Sequence, residues 1–177
     1  PTVMRCRRQH RLRSLHENEN AESVLNAAAL IPARPGTYAL LLSAARRQRI
    51  TVGRLGALPV QPGCYVYLGS ACGPGGLRAR LRHHVGAQQR PHWHIDYLHH
   101  ATTPQEIWWS DDAKSSEHLW AAHCGALPGA AVPLARFGAG DCDCDCSAHL
   151  FYFRTPPDFA AFEQRALPPD GWRRRIF

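Results

Sequence analysis

The stretch GCYVYLGSACGPGG at 63–76 constrains the fold more than any other part of the chain. Its aromatic and β-branched residues favour a strand, and the glycines at 69, 73, 75 and 76 with Pro74 stop any regular element. LRARLRHHV follows at 77–85, with Leu77, Leu81 and Val85 at four-residue intervals, which predicts a helix with one apolar side and a basic remainder. Tyr65 and Tyr67 alternate with Val66 and Leu68, so both phenols face one side of a sheet. A strand that delivers tyrosines into a glycine loop, with a basic helix directly behind, points to α+β architecture.

The flanking segments extend this pattern. GTYALLLSA at 36–44 predicts a strand, ITVGRLG at 50–56 a second, and CYVYLGSA at 64–71 a third, with ARRQR and ALPVQPG as turns. Such short connections predict consecutive antiparallel neighbours. HWHIDYLHHA at 92–101 reads as a short helix, EIWWS at 106–110 as a strand, and SSEHLWAAHCGAL at 115–127 as a serine-capped helix ending near Gly125. HLFYF at 149–153 reads as a strand, and PPDFAAFEQRAL at 156–167 as a helix with proline in its first turn. The expected domain covers 32–167 as a small three-stranded central antiparallel sheet flanked by helices, with an extra C-terminal strand and helix. A basic arm at 1–31, with helix-prone SVLNAAAL at 23–30, precedes it, and a basic tail at 168–177 follows. Trp108, Trp109, Trp120 and Phe153 are expected in the core.

At 177 residues the chain can bury one core. It has no run of about 18 apolar residues to span a membrane, and its charged start does not read as a secretory signal. A cytoplasmic location and seven reduced cysteines are therefore expected. Of the 21 basic residues 20 are arginine, and they are unevenly spread. Residues 1–100 hold 14 arginines against 4 acids, a net +10, whereas 101–177 carry a net −3. A basic half built on arginine suits phosphate, because the planar guanidinium donates two parallel hydrogen bonds.

The two usual glycine-loop nucleotide motifs fail. GSACGPGGLRAR lacks the GK[ST] ending of a P-loop, and Arg78 stands where GxGxxG needs its third glycine. What remains is a helix N-terminus whose backbone N–H groups at Gly75 and Gly76, with Arg78 and Arg82, are expected to receive a phosphodiester. Arg80 and His84, four apart, are neighbours on the helix, and Tyr38 shares the tyrosine face if the register allows. A phenol, a guanidinium, an imidazole and the carboxylate of Glu117 suit phosphoryl transfer. Each also has a structural role open to it: Tyr65 and Tyr67 as strand aromatics, Arg80 as a solvated helix arginine, Glu117 as a partner of its helix dipole. HWHID at 92–96 begins like a metallo-β-lactamase zinc motif, but Tyr97 follows where histidine is needed, so His92, His94 and Asp96 are expected to support the site. CxCxC at Cys142, Cys144 and Cys146, with His149 nearby, is not the CxxC knuckle spacing, and reads as a thiol loop ahead of a zinc site.

Gly36-Thr37-Tyr38, Tyr67-Leu68-Gly69, a helix with Arg80 and His84, and then Glu117 resemble the motif order of the GIY-YIG nuclease superfamily. ITVGRLG, YVYLGSACGPGGLRARLRHH, RPHWHIDYL and DCSAHLFYF resemble a poorly characterised branch of it, sometimes fused to endonuclease III-like DNA repair domains. The likeness covers roughly 34–155, and departs at the longer glycine loop and at DCDCDCSAHL, where Ala148 stands in place of an expected serine. The resemblance implies a DNA endonuclease of repair or processing, with one Mg²⁺ or Mn²⁺ on Glu117 and Arg80 stabilising the transition state. Tyr38, Tyr67 or His84 would activate water, and Gly36 and Gly69 would support the site. DNA is the expected partner, with RNA open, no small-molecule cofactor and a monomer as the default. The alternative is a non-catalytic nucleic-acid-binding module on the same fold.

Overall fold

The computed structural model describes residues 30–86, 90–112, 116–140, 142–166 and 172–176. The predicted arm helix at 23–30 thus lies almost wholly outside the described residues. Among the described residues the architecture is α+β, with an antiparallel sheet and three helices. The sheet has five strands in the order β6-β4-β1-β5-β7: β1 (Thr37–Ala44), β4 (Gly63–Ser70), β5 (Thr103–Ser110), β6 (Leu150–Phe153) and β7 (Trp172–Ile176). A separate two-stranded hairpin pairs β2 (Gln48–Val52) with β3 (Gly56–Val60).

This corrects the predicted three-stranded sheet of consecutive neighbours. β1 pairs with β4 on one side and β5 on the other, and the second predicted strand stands apart. Burial explains the order. TYALLL is buried at every residue from Thr37 to Leu42, which only a central strand permits, whereas QRITV alternates and buries one side. ALPV is a strand, not a turn. Pro59 misleads because a two-stranded hairpin tolerates proline at an exposed position with no ladder partner for an N–H. Residues 172–176 of the supposed basic tail form the edge strand β7 beside β5.

The described residues also form the helices α1 (Gly76–Val85), α2 (Glu117–Gly125) and α3 (Phe159–Ala166). α2 begins where predicted, with Ser116 Oγ accepting from the His118 N–H. α3 starts later than predicted, because Asp158 rather than a proline begins it and accepts from the Ala160 N–H. HWHIDYLHHA contributes a short 3₁₀ turn at His94–Leu98.

The two faces of the sheet are covered differently. Tyr38, Leu40, Tyr65, Tyr67 and Ile107 pack under α1, the 3₁₀ turn and the hairpin. Ala39, Leu41, Val66, Leu68 and Trp108 pack under α2 and α3 through Trp120, Ala121, Cys124 and Phe162. Trp108, Trp109, Trp120 and Phe153 are all buried, as expected. Among the described residues no helix is long and apolar enough to cross a membrane.

Candidate functional site

The register of the central strands builds the tyrosine site. Tyr38 lies directly opposite Gly69, and Leu40 opposite Tyr67, so Tyr38 and Tyr67 share a face. A Cβ on Gly69 would come 2.5 Å from the Tyr38 hydroxyl, so the glycine of the second motif makes room for the tyrosine of the first. Gly36 is needed for a similar reason: a side chain there would strike the Ser110 carbonyl and the Leu77 side chain. Tyr65 does a different job, since its hydroxyl accepts from the Gln61 N–H at 2.7 Å and anchors the turn before β4.

α1 brings His84 between the two phenols. The His84 ring centroid lies 5.8 Å from Tyr38 and 5.9 Å from Tyr67, and the two tyrosine rings are 6.3 Å apart. All three residues are buried, Tyr67 being the most accessible at 7%. The Arg80 guanidinium, one turn earlier, lies 4.3 Å above the Trp93 ring and is half-buried.

Asp96 organises the outer side of this cluster. Its Oδ2 accepts from the backbone N–H of His92 and of Trp93, both at 2.9 Å, and lies 3.3 Å from His83 Nε2. Its Oδ1 is 3.4 Å from His84 Nδ1. HWHID is therefore a support: Asp96 receives, the His92 side chain is exposed, and His94 Nδ1 accepts from the Gly138 N–H at 3.0 Å. The motif does not gather its own three side chains around a metal. His83, His84 and Asp96 do form a compact group with ligand atoms within 4.8 Å of one another.

Electrostatics follow from the burial. Desolvation raises Tyr38 well above the usual tyrosine pKa, with Tyr67, Glu117 and Asp96 adding to the rise and Arg80 opposing it. Desolvation also pushes His84 down to about 4, despite the Asp96 carboxylate beside it. Burial alone would raise Asp96, yet hydrogen bonds from His84, Trp93, His92 and His83 hold it below the ordinary carboxylate range. At neutral pH the site presents a protonated Tyr38 phenol, a neutral imidazole and an ionised carboxylate.

Glu117 lies apart from the tyrosine–histidine cluster, in a cleft at the end of the sheet that none of Tyr38, Tyr67, Arg80 and His84 lines. α2 packs on the opposite face, but Ser110 pairs with Thr37, so the chain leaves β5 beside the start of β1. The first turn of α2 there overhangs the strand ends. Glu117, half-buried, lines a cleft of about 540 Å³ with Gly36, Thr37, Ser70, Asp111 and Asp112, among others. Its carboxylate raises the pKa of Tyr38 on one side and of Cys146 on the other, although neither tyrosine lines the cleft.

At the N-terminus of α1 the N–H groups of Gly76, Leu77 and Arg78 are taken by backbone carbonyls, so they are not left free for the phosphodiester that the glycine loop was expected to receive. Leu77 N–H donates to the Arg34 carbonyl and Arg78 N–H to that of Pro32, while the Arg78 Nε–H donates to the Ile31 carbonyl at 2.8 Å. Gly75 and Gly76 both have positive φ, and a side chain on Gly76 would run into the Arg34 backbone. Gly76, Leu77 and Arg78 therefore hold segment 31–34, which leaves Arg82, exposed on the helix, as the outward cation of that group.

Two features of the site escape sequence reasoning. Trp93 supplies the platform under Arg80. Gly138, at φ 74°, lets the 134–140 loop close against the Tyr67 ring, 2.9 Å from where its Cβ would be. Trp93 lies within HWHID but at a position that its HxHxD spacing leaves open, and Gly138 lies in no spaced motif; their roles depend on chain segments that meet only after folding.

The cysteine loop is also ordered by neighbours. Cys142 Sγ lies 3.2 Å and Cys146 Sγ 3.6 Å from His118 Nδ1, while Cys144 is exposed. Burial opposes ionisation of Cys142, but the N–H groups of Cys146 and Cys144 and the Cys146 thiol outweigh it and lower its pKa. Burial, together with Cys142, pushes Cys146 up to about 11.

A family model described as Domain of unknown function DUF123 matches residues 37–168, well over half of the chain. No curated protein and no solved structure matches.

Proposed function

This chain belongs to the DUF123 family, and we propose that it is a metal-dependent endonuclease of the GIY-YIG type that hydrolyses phosphodiester bonds in DNA. One observation carries the reading. Tyr38, Tyr67 and His84, from three separated segments, have ring centroids within 6.3 Å of one another, and Arg80 stands one turn away on the same helix as His84.

Hydrolysis adds a water oxygen to phosphorus, breaks one ester P–O bond and returns a proton to the leaving sugar oxygen. The Tyr38 and Tyr67 hydroxyls orient the water. Asp96 beside Nδ1 favours the tautomer protonated there, so Nε2 of the neutral His84 is the acceptor for the water's proton. An anionic phosphodiester in the site raises the His84 pKa from its low resting value and makes it a better base. Arg80 balances the charge that develops on the phosphoryl oxygens. Glu117, which lines the cleft, offers a carboxylate, the hard oxygen donor that Mg²⁺ or Mn²⁺ takes. It would hold that ion, which polarises the scissile phosphate when bound.

The depth at which Tyr38 and His84 are buried favours a second reading, a nucleic-acid-binding module whose aromatic cluster is structural. One experiment separates the two. Plasmid and branched DNA are incubated with the wild type, Arg80→Ala and Glu117→Ala in Mg²⁺ or Mn²⁺. Both substitutions should abolish cutting, while Glu117→Ala keeps DNA affinity, and that affinity should fall steeply with salt. Equal cutting by all three proteins would sink the enzyme, and a flat salt response would sink phosphate contact in either reading.

A further inference from the structure

We propose that His118, Cys142, Cys146 and His149 form a structural zinc site that fastens the first turn of α2 to the cysteine loop. One ligand atom from each lies within 4.8 Å of the others. The distances suit a single tetrahedral ion. With Zn–S near 2.3 Å and Zn–N near 2.0–2.1 Å, a sulfur and a nitrogen sharing zinc stand about 3.5 Å apart. The two Cys–His118 separations, 3.2 and 3.6 Å, bracket that value. The His118 and His149 rings approach to 5.4 Å between centroids.

The donor chemistry selects the metal. Two thiolates and two imidazoles are a soft set, suited to zinc and poorly suited to magnesium or calcium. The site is also built rather than incidental. Arg136 N–H donates to the Ser147 carbonyl at 2.7 Å, and His149 N–H to the Phe137 carbonyl at 2.8 Å, which closes the loop around residues 142–146. Asp145 turns the chain between the two cysteines at φ 51°. Cys144 therefore stays outside, and the working pattern is CxxxC joined to one histidine downstream and another on α2.

The location gives the site a purpose. His118 follows Glu117 directly, and Gly138 sits so close that a Cβ there would meet both the Tyr67 ring and the His149 Cβ. Zinc here would tie together the carboxylate, the cysteine loop and the tyrosine wall. It is a four-ligand site with no position open to substrate, separate from the divalent ion of the proposed reaction.

The test uses the full chain, purified under reducing conditions with a tag free of histidine. Metal analysis should find one zinc per chain. Cobalt replacement should give thiolate charge-transfer absorption and tetrahedral ligand-field bands. Cys142→Ser, Cys146→Ser and His118→Ala should each lose that spectrum, and Cys144→Ser should keep it. Reduced wild type that takes up neither zinc nor cobalt would overturn the proposal. So would a spectrum surviving the Cys142→Ser/Cys146→Ser double substitution. Should the ligand variants fail to fold, the wild-type stoichiometry and cobalt spectrum decide by themselves. Zinc bound by a protein that cuts no DNA leaves this site standing and removes only the nuclease, so the two proposals fail separately.

Discussion

The two faces of the central sheet bury similar side chains to opposite ends. Under α2 and α3, Trp108, Trp120 and Phe162 interlock with ring centroids of 4.9 and 5.6 Å, and the buried titratable groups among them are the thiols of Cys64 and Cys124. Burial, and for Cys64 the nearby Glu106 carboxylate, pushes Cys64 up to about 12. Burial also keeps Cys124 protonated. Under α1, by contrast, aromatic rings surround an imidazole and lie beside an ionised carboxylate that is itself 1% exposed. Apolar packing tolerates small errors, whereas a buried charge must be fully partnered. The first face holds the sheet together; the second uses burial to set protonation states.

Substitutions on both faces sharpen this contrast. The largest stability loss should come from Trp120→Ala, about 3–5 kcal/mol by urea denaturation, with cutting per folded molecule unchanged. Little loss there would mean that the α2 face is not the stabilising one. Asp96→Asn should cost about 1–3 kcal/mol, since the amide keeps only one acceptor for the donors around the carboxylate. It should also disturb cutting through His84.

The pH response belongs to the same face. The folded pKa of His84, about 4, lies below its unfolded value near 6.5, so between them the unfolded chain binds the extra proton. Stability should be full above pH 6.5, fall as pH drops towards 4, and fall further as Asp96 begins to protonate in the unfolded chain. A melting temperature that is flat from pH 7 to 4, or that stays as steep in His84→Phe, would argue that the ring is not buried neutral. Gly69→Ala should follow at about 1–3 kcal/mol, because the new methyl must displace the Tyr38 ring. Its cutting should fall by more than its stability predicts. Arg80→Ala should be the mildest for stability, about 0.5–1 kcal/mol for the lost stacking on Trp93, and yet abolish cutting. Cutting by a well-folded Arg80→Ala protein would remove the functional half of the contrast.

The legibility of these features varied for physical reasons. The phenols of Tyr65 and Tyr67 on one face, the start of α2 at Ser116 and the buried TYALLL run all follow from local period and capping, so a few neighbouring residues reveal them. Gly36 and Gly69 were readable only as motif letters; their reason, a tyrosine ring and a carbonyl on adjacent strands, is non-local. Arg78 and Gly76 misled because a free helix N-terminus and one occupied by the Pro32 and Arg34 carbonyls look the same in sequence. Pro59 misled because it signals a turn unless the strand has a spare edge.

Local chemistry thus determined most of the strands and helices and which face their side chains take, since these depend on backbone sterics and spacings of two to four residues, while ALPV, the edge strand at 172–176 and the need for Gly36 and Gly69 came from neighbours distant in sequence. Strand order, the place of Glu117 in the cleft at the strand ends, and the gathering of His118 with Cys142, Cys146 and His149 were left to the tertiary structure. Segments tens of residues apart compete for the same buried surface, and only their joint packing decides which become neighbours.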